Sequence, residues 1–330
     1  MNKPQDDAPE PPLARRDPGA LEFASVGPSF LAREDAVIQV IGGRYVVDTT
    51  AASVADIGLI RVKVGMRSVG VTVLDPAYVV FAVPVSWTGD YVINGQVAER
   101  DALYMPGDLD TVHIRGDQRD TIGVGLPRDQ FTETVAALRG VGPEDVTLLD
   151  RELWLMPAAG NILRQRLAGL VDEACSERRI RAPEEIANDV LTLIIDAYLH
   201  ACPGAAPSSS RVRRPKRIVR AAEEYFVAQA GAPISLAGLC AAAGVSKSSL
   251  YLAFHQICGE PPLEYLRKRQ LTQARSLLLR ADPERGVVKR TALDVGLTEF
   301  GRFSVEYRRL FGESPSATLR NQASRPAFDR

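Results

Sequence analysis

The sequence predicts a two-domain α+β protein: an N-terminal β-barrel with appended helices, then an all-α domain of two helix-turn-helix units joined by a long helix. Three observations carry this prediction. Short β-rich runs with turn residues between them, the pattern of a barrel or sandwich, fill the stretch from Leu21 to Leu126. A Pro/Gly/Ser segment, Cys202-Pro203-Gly204-Ala205-Ala206-Pro207-Ser208-Ser209-Ser210, separates two helical regions. Beyond it, one helical pattern occurs twice. The length of 330 residues is also more than a single core usually occupies.

Taken in order, Met1 to Ala20 holds Pro4, Pro9, Pro11, Pro12 and Pro18 among charged residues and no apolar run, so it is expected to stay disordered and is not a signal peptide. Leu59-Ile60-Arg61-Val62-Lys63-Val64 alternates as a half-buried strand does. Val69 to Leu74 and Tyr78 to Val83 are further β-rich runs, parted by Asp75-Pro76. Asn94-Gly95 between Tyr91-Val92-Ile93 and Gln96-Val97-Ala98 signals a hairpin, because both residues tolerate positive φ. Pro106-Gly107-Asp108 is another turn, and Thr111 to Arg115 alternates again. After Pro127 the period changes. Asn161–Glu177 and Pro183–His200 each carry an apolar helical stripe that packs either on the β region or on a partner chain.

Charge divides the chain. The net charge is -1, yet from Arg211 onward about 21 Lys/Arg face about 11 Asp/Glu, which leaves the first 210 residues near -11. A basic half joined to an acidic half suggests that only the second meets a polyanion. Cys175, Cys202, Cys240 and Cys258 are far apart with no CxxC pair, and His113, His200 and His255 are equally scattered, so neither a disulfide framework nor a zinc site is expected. No apolar run approaches the roughly 18 residues of a membrane span. A cytoplasmic protein without cofactor or membrane contact is the expectation.

The repeat is the most informative feature. Ser235 to Leu250 has helix-turn-helix grammar: Ser235 caps a first helix, Gly244 makes the turn, and Ser246 caps a second helix with Leu250, Phe254 and Ile257 facing inward. Some fifty residues later the pattern returns in Ala292 to Phe303, with Gly296 at the turn. Leu250 matches Phe303, Phe254 matches Tyr307, Gly259 matches Gly312, Glu260 matches Glu313 and Pro262 matches Pro315. Between the copies, Pro262–Arg280 reads as one helix of about 28 Å at 1.5 Å per residue. Such a connector suits two recognition helices in major-groove segments about 34 Å apart, a site of roughly twenty base pairs.

The stretch Ile218–Leu319 resembles the AraC/XylS DNA-binding domain, and Arg302-Phe303-Ser304-Val305-Glu306-Tyr307-Arg308-Arg309-Leu310-Phe311-Gly312-Glu313-Ser314-Pro315 resembles its signature. The β-rich region is similar, more loosely, to the cupin-like effector domains of many members. The resemblance implies a transcription regulator, often an activator, that binds double-stranded DNA, engages RNA polymerase, answers to a small-molecule effector and forms a homodimer. It also implies base-reading positions at Ser248, Tyr251 and Leu252 in one recognition helix and at Phe300, Gly301, Ser304 and Val305 in the other. Lys247, His255, Arg302 and Arg308 lie where phosphate contacts are expected, although an exposed Arg302 equally suits a salt bridge. The sequence departs from the common pattern at Val305 and Leu252, where an Arg often follows the signature Ser. Apolar contact with thymine methyls is the natural replacement. The resulting division is a tail at 1–20, a cupin-like β sensor domain at 21–140, helices for connection or dimerisation at 141–201, a linker at 202–216, the DNA-binding domain at 217–322 and a tail at 323–330.

Two other function classes are set against this one. A cupin-type metalloenzyme fused to a DNA-binding domain needs several His and a carboxylate around one ion, and His113 is alone in the β region. It faces away from Val112 and Ile114, either as an effector ligand or as a surface or satisfied structural residue. GxSxG, HExxH and P-loop motifs do not occur. A ligand-independent architectural protein fits poorly with about a hundred residues of β domain, which suggests a cavity that Tyr78, Phe81, Trp87, Tyr91 and Tyr104 either line or fill.

Overall fold

The computed structural model describes residues 32–43, 47–105, 111–148, 151–176, 180–203, 209–229 and 234–323. The expected N-terminal tail, the turn at 106–108, the centre of the expected linker and all but the first residue of the 323–330 tail lie outside the described residues.

Among the described residues ten strands precede the first helix: β1 (Ala32–Gln39), β2 (Val47–Val54), β3 (Ile57–Val64), β4 (Ser68–Leu74), β5 (Tyr78–Trp87), β6 (Tyr91–Ile93), β7 (Gln96–Val97), β8 (Ala102–Met105), β9 (Thr111–Gly116) and β10 (Arg119–Pro127). Helix α1 (Arg128–Arg139), strand β11 (Arg151–Trp154), helices α2 (Pro157–Ala174) and α3 (Pro183–His200) and strand β12 (Cys202–Pro203) complete this half. The strands form two antiparallel sheets, one in the order β1-β4-β9-β6-β7 and one in the order β12-β11-β8-β5-β10-β3-β2.

The barrel expected from the strand spacing does not close. Among the described residues no strand ladder joins the two sheets, and each keeps two edges. The reason lies in β5, which is apolar on both faces. Val79, Phe81 and Val83 meet Phe131 of α1 and Tyr198 of α3, while Val80 and Ala82 meet Tyr91, Tyr104 and Val112. A strand buried on both sides belongs to a sheet stacked between two layers, and its continuous apolar run says the same. Phe81 therefore packs under the helices, while Tyr91 and Tyr104 lie between the sheets. The Asn94-Gly95 turn has both φ values positive, 53° and 83°, which are the backbone angles its hairpin demands.

The remaining helices are α4 (Ser209–Ala228), α5 (Leu236–Ala243), α6 (Lys247–Cys258), α7 (Pro262–Arg280), α8 (Val287–Asp294), α9 (Phe300–Phe311) and α10 (Pro315–Ala323). Cys202 and Pro203 pair with β11, and α4 begins at Ser209, so regular structure extends into the segment that reads as a linker from 202 to 216. The outer face of the first sheet (Ile38, Val40, Val69, Val71) forms one core with Val219, Leu250 and Phe254 of the helical half. Four layers result: helices, sheet, sheet, helices. The second helix-turn-helix has a separate core around Phe303, Tyr307 and Phe311. Among the described residues no single helix is long and apolar enough to cross a membrane.

Candidate nucleic-acid interface

The first helix-turn-helix follows from its local sequence. Ser235 Oγ accepts the Gly238 amide at 3.0 Å and caps α5. Gly244 ends that helix at φ 62°, a conformation costly for residues with a Cβ. Ser246 Oγ then accepts the Ser249 amide at 3.3 Å and starts α6, bent 85° from α5. One face of α6 buries Leu250, Ala253, Phe254 and Ile257. The face left open carries Lys247, Ser248, Leu252 and His255 exposed and Tyr251 half-buried.

The second unit repeats this arrangement with a different entry. Gly296 (φ 79°) makes the turn after α8, but Glu299, at the start of α9, forms no side-chain cap. Phe303 and Tyr307 are buried where Leu250 and Phe254 are. Gly259 and Gly312 end the two recognition helices in the same left-handed conformation, at φ 73° and 74°. Gly301, Ser304, Val305 and Arg308 are exposed on α9. Leu252 and Val305 hold equivalent positions and are 71% and 69% exposed, a conspicuous placement for branched apolar side chains.

Two expected contact residues have partners of their own. Phe300 is half-buried against the second core, under the Lys289 ammonium at 5.3 Å from its ring centre. Arg302 donates to Glu306 Oε1 at 2.8 Å and lies 3.9 Å from Glu299. Glu306 also accepts from Arg267 of the connector α7 at 2.6 Å. Burial pushes the Glu306 carboxyl up, but the two guanidinium donors outweigh it and hold the group below its ordinary range. On α6, the Lys247 ammonium sits 5.9 Å from the Tyr251 ring centre.

Helix α7 is tied to both units. Lys268 pairs with Glu260 at 2.8 Å on the first side. On the second, Gln270 donates to the Val295 carbonyl at 2.8 Å and Arg275 pairs with Glu313 at 2.6 Å. Connector and recognition helices are thus braced by charge-assisted bonds as well as by apolar packing.

Glu223 of α4 is the main polar anchor, and the sequence reading does not single it out. It is buried, and it accepts from His113 of β9 at 3.0 Å, Tyr265 at 2.6 Å and Arg269 at 2.9 Å. Burial alone pushes its carboxyl up; the His113 and Arg269 charges and the His113 and Tyr265 hydrogen bonds reverse this and hold it at about 2. His113, one of the two roles left open being structural, is 1% exposed and points out of the sandwich into the helical half. Its Nδ1 has no hydrogen-bond partner among the described residues. Among those residues no three His, Cys, Asp or Glu side chains gather as a metal ion would require, and no disulfide forms.

A family model described as "Helix-turn-helix domain" matches residues 239–321. A probable thc operon regulatory protein of Rhodococcus erythropolis is 40% identical over 103 residues, 31% of this chain and 31% of that protein. A XylDLEGF operon transcriptional activator of Pseudomonas putida is 43% identical over 89 residues, 26% of this chain and 27% of its own length. The match therefore spans about a third or less of these curated relatives. A solved structure of a probable AraC family transcriptional regulator from Rhodopseudomonas palustris is 32% identical, covering 32% of this chain and 96% of that one, with a TM-score of 0.27.

Proposed function

We propose that the chain, whose residues 239–321 match a helix-turn-helix domain model, is a sequence-specific transcription regulator of the AraC/XylS type whose helices α6 and α9 enter successive major-groove segments. The observation that carries this reading is the repetition itself. Two units share buried positions and left-handed helix ends, and each presents an exposed branched side chain, Leu252 or Val305, at the same place. These two side chains contact thymine methyls, with Ser248, Tyr251, Gly301 and Ser304 beside them and the exposed edge of Phe300 completing the second surface. Lys247, His255 and Arg308 grip phosphates, and Arg302 joins them on leaving its carboxylate partners.

The β half acts as a cupin-like sensor for a small-molecule effector, and the output is activation through RNA polymerase by a homodimer. Support for the sensor role comes from the layer between the sheets. There Trp87 packs edge to face on Tyr91, whose hydroxyl lies 2.5 Å from that of Thr121, a polar handle inside an apolar layer that Tyr104 shares. The chain is a regulator rather than an enzyme, as the regulatory names of its relatives suggest.

The test is selection of a duplex from a randomised pool by the full chain at near-physiological salt. One enriched motif spanning about two helical turns is the expected result; salt-sensitive binding with no enrichment would sink the proposal. Leu252→Ala and Lys247→Ala separate the two kinds of contact. Removing the leucine is expected to weaken the selected duplex roughly fivefold with an unchanged salt slope. Removing the lysine weakens all duplexes alike and lowers the slope by about 1.

A further inference from the structure

Both recognition helices end on the same β-sheet. At the end of α9 the Leu310 carbonyl is one of the acceptors that a helix leaves unpaired. Gln39 Nε2 donates to it at 2.8 Å, and the Gly43 amide donates to it at 3.3 Å. Gln39 is fully buried, and the same Nε2 lies 2.8 Å from the carbonyls of Ile41 and Gly43, which fixes its amide inside the β1–β2 turn. Gly42 comes so close that a Cβ there would stand 2.8 Å from the Arg309 carbonyl oxygen. The end of α6 rests on the same sheet. The Arg115 side chain lies against Gly259, where a Cβ would meet its Cδ at 3.2 Å, and Gly95 of the β6–β7 turn abuts Ile257. A guanidinium beside the last turn of a helix also complements the helix dipole.

Strand register relates the two supports. Gln39 is paired with Ser68 on β4, and Ser68 with Gly116 on β9, next to Arg115. They stand two strand spacings apart, about 10 Å. The helix faces that carry Lys247, Ser248 and Leu252, and Gly301, Ser304 and Val305, remain open. The sheet therefore holds both helices from behind without covering them.

We propose that Gln39 is a positioning residue for the second recognition helix: by holding the end of α9 on the sheet that also supports α6, it sets the interval between half-sites that the chain accepts. This rests on the reading that α6 and α9 bind DNA. The sensor half then determines spacing specificity although it touches no base, and the connector α7 does not act alone.

The experiment uses the full chain and the duplex it selects from a random pool, with the segment between half-sites lengthened or shortened by two base pairs. Two base pairs turn one half-site by about 70° relative to the other. Wild type is expected to bind the altered duplexes at least about tenfold more weakly than the selected one. Gln39→Ala, which removes the donor, is expected to reduce that penalty to about threefold or less. Gly42→Ala wedges the turn away from α9 at an exposed position and is expected to do the same, should Gln39→Ala fail to fold. Unchanged spacing profiles in the folded variants would overturn the proposal. So would rapid hydrogen exchange at the Gly43 amide in the wild type, a readout that needs no DNA. Failure of the wild type to select any duplex overturns the DNA-binding reading and this proposal with it, and slow exchange at Gly43 then still reports the contact.

Discussion

Glu223→Ala is expected to lower the unfolding free energy by about 3–5 kcal/mol, the usual cost of removing one partner from a buried ion pair. The carboxylate is the common acceptor for His113, Tyr265 and Arg269, so its loss leaves three donors facing a cavity in a layer with little access to water. Urea unfolding at neutral pH measures the effect, and a loss below about 1 kcal/mol would show that the network adds little. The pH dependence has a definite sign. The carboxyl is held at about 2 in the folded chain against an ordinary 4.5. Its stabilisation is therefore complete above pH 4.5 and disappears as pH falls toward 2. Glu223→Gln is expected to flatten the stability profile across that window, and an unaltered profile would remove Glu223 from the account.

The second large effect is expected at Phe303, and its character is local. Phe303 meets Tyr307 edge to face at 5.5 Å, and Tyr307 meets Phe311 likewise at 4.6 Å, in a core that the sheets do not enter. Truncation to alanine in such a place costs about 3–5 kcal/mol. Because the first unit shares an apolar core with the β half while the second keeps a core of its own and meets the sheet at the end of α9, Phe303→Ala is expected to free amides between 271 and 319 for exchange while those between 218 and 266 stay protected. The variant should then hold one half-site only. Uniform loss of protection along the whole chain would mean that the units unfold together.

Much of the helical half was legible because its signals are local. Ser235, Gly244 and Ser246 mark caps and a turn whose chemistry needs no distant partner, and Pro262–Arg280 has helical bounds written in its own residues. Asn94-Gly95 belongs to the same class. What escaped depends on partners far along the chain. The short strands β11 and β12 are defined by pairing with β8 and with each other, and neither has a strong pattern. Short strands at regular spacing suit a barrel and a sandwich alike, whereas the layers are decided by β5 being apolar on both faces. The His113–Glu223 pair joins residues 110 positions apart. A signal for it did exist: Glu223 sits among Val219, Ala222 and Phe226, a carboxylate on the apolar stripe of its helix. Gln39 had no comparable mark, since nothing in β1 reveals that a carbonyl of α9 will arrive beside it. Among the contact residues, exposure of Leu252 and Val305 follows from the helical period, while the partners of Arg302 and Phe300 do not.

The core shared by the first unit and the sheet bears on how such a chain can diversify. Val69 and Val71 on one side and Leu250 and Phe254 on the other are each other's shelter from water. A DNA-binding half transplanted onto a foreign sensor arrives with that patch bare, unless the new host brings a sheet of matching shape. Chimaeras cut near residue 205 are therefore expected to be sticky and poorly soluble. Those that keep residues 38–71 with the helices are expected to stay soluble, because the patch then keeps its own cover.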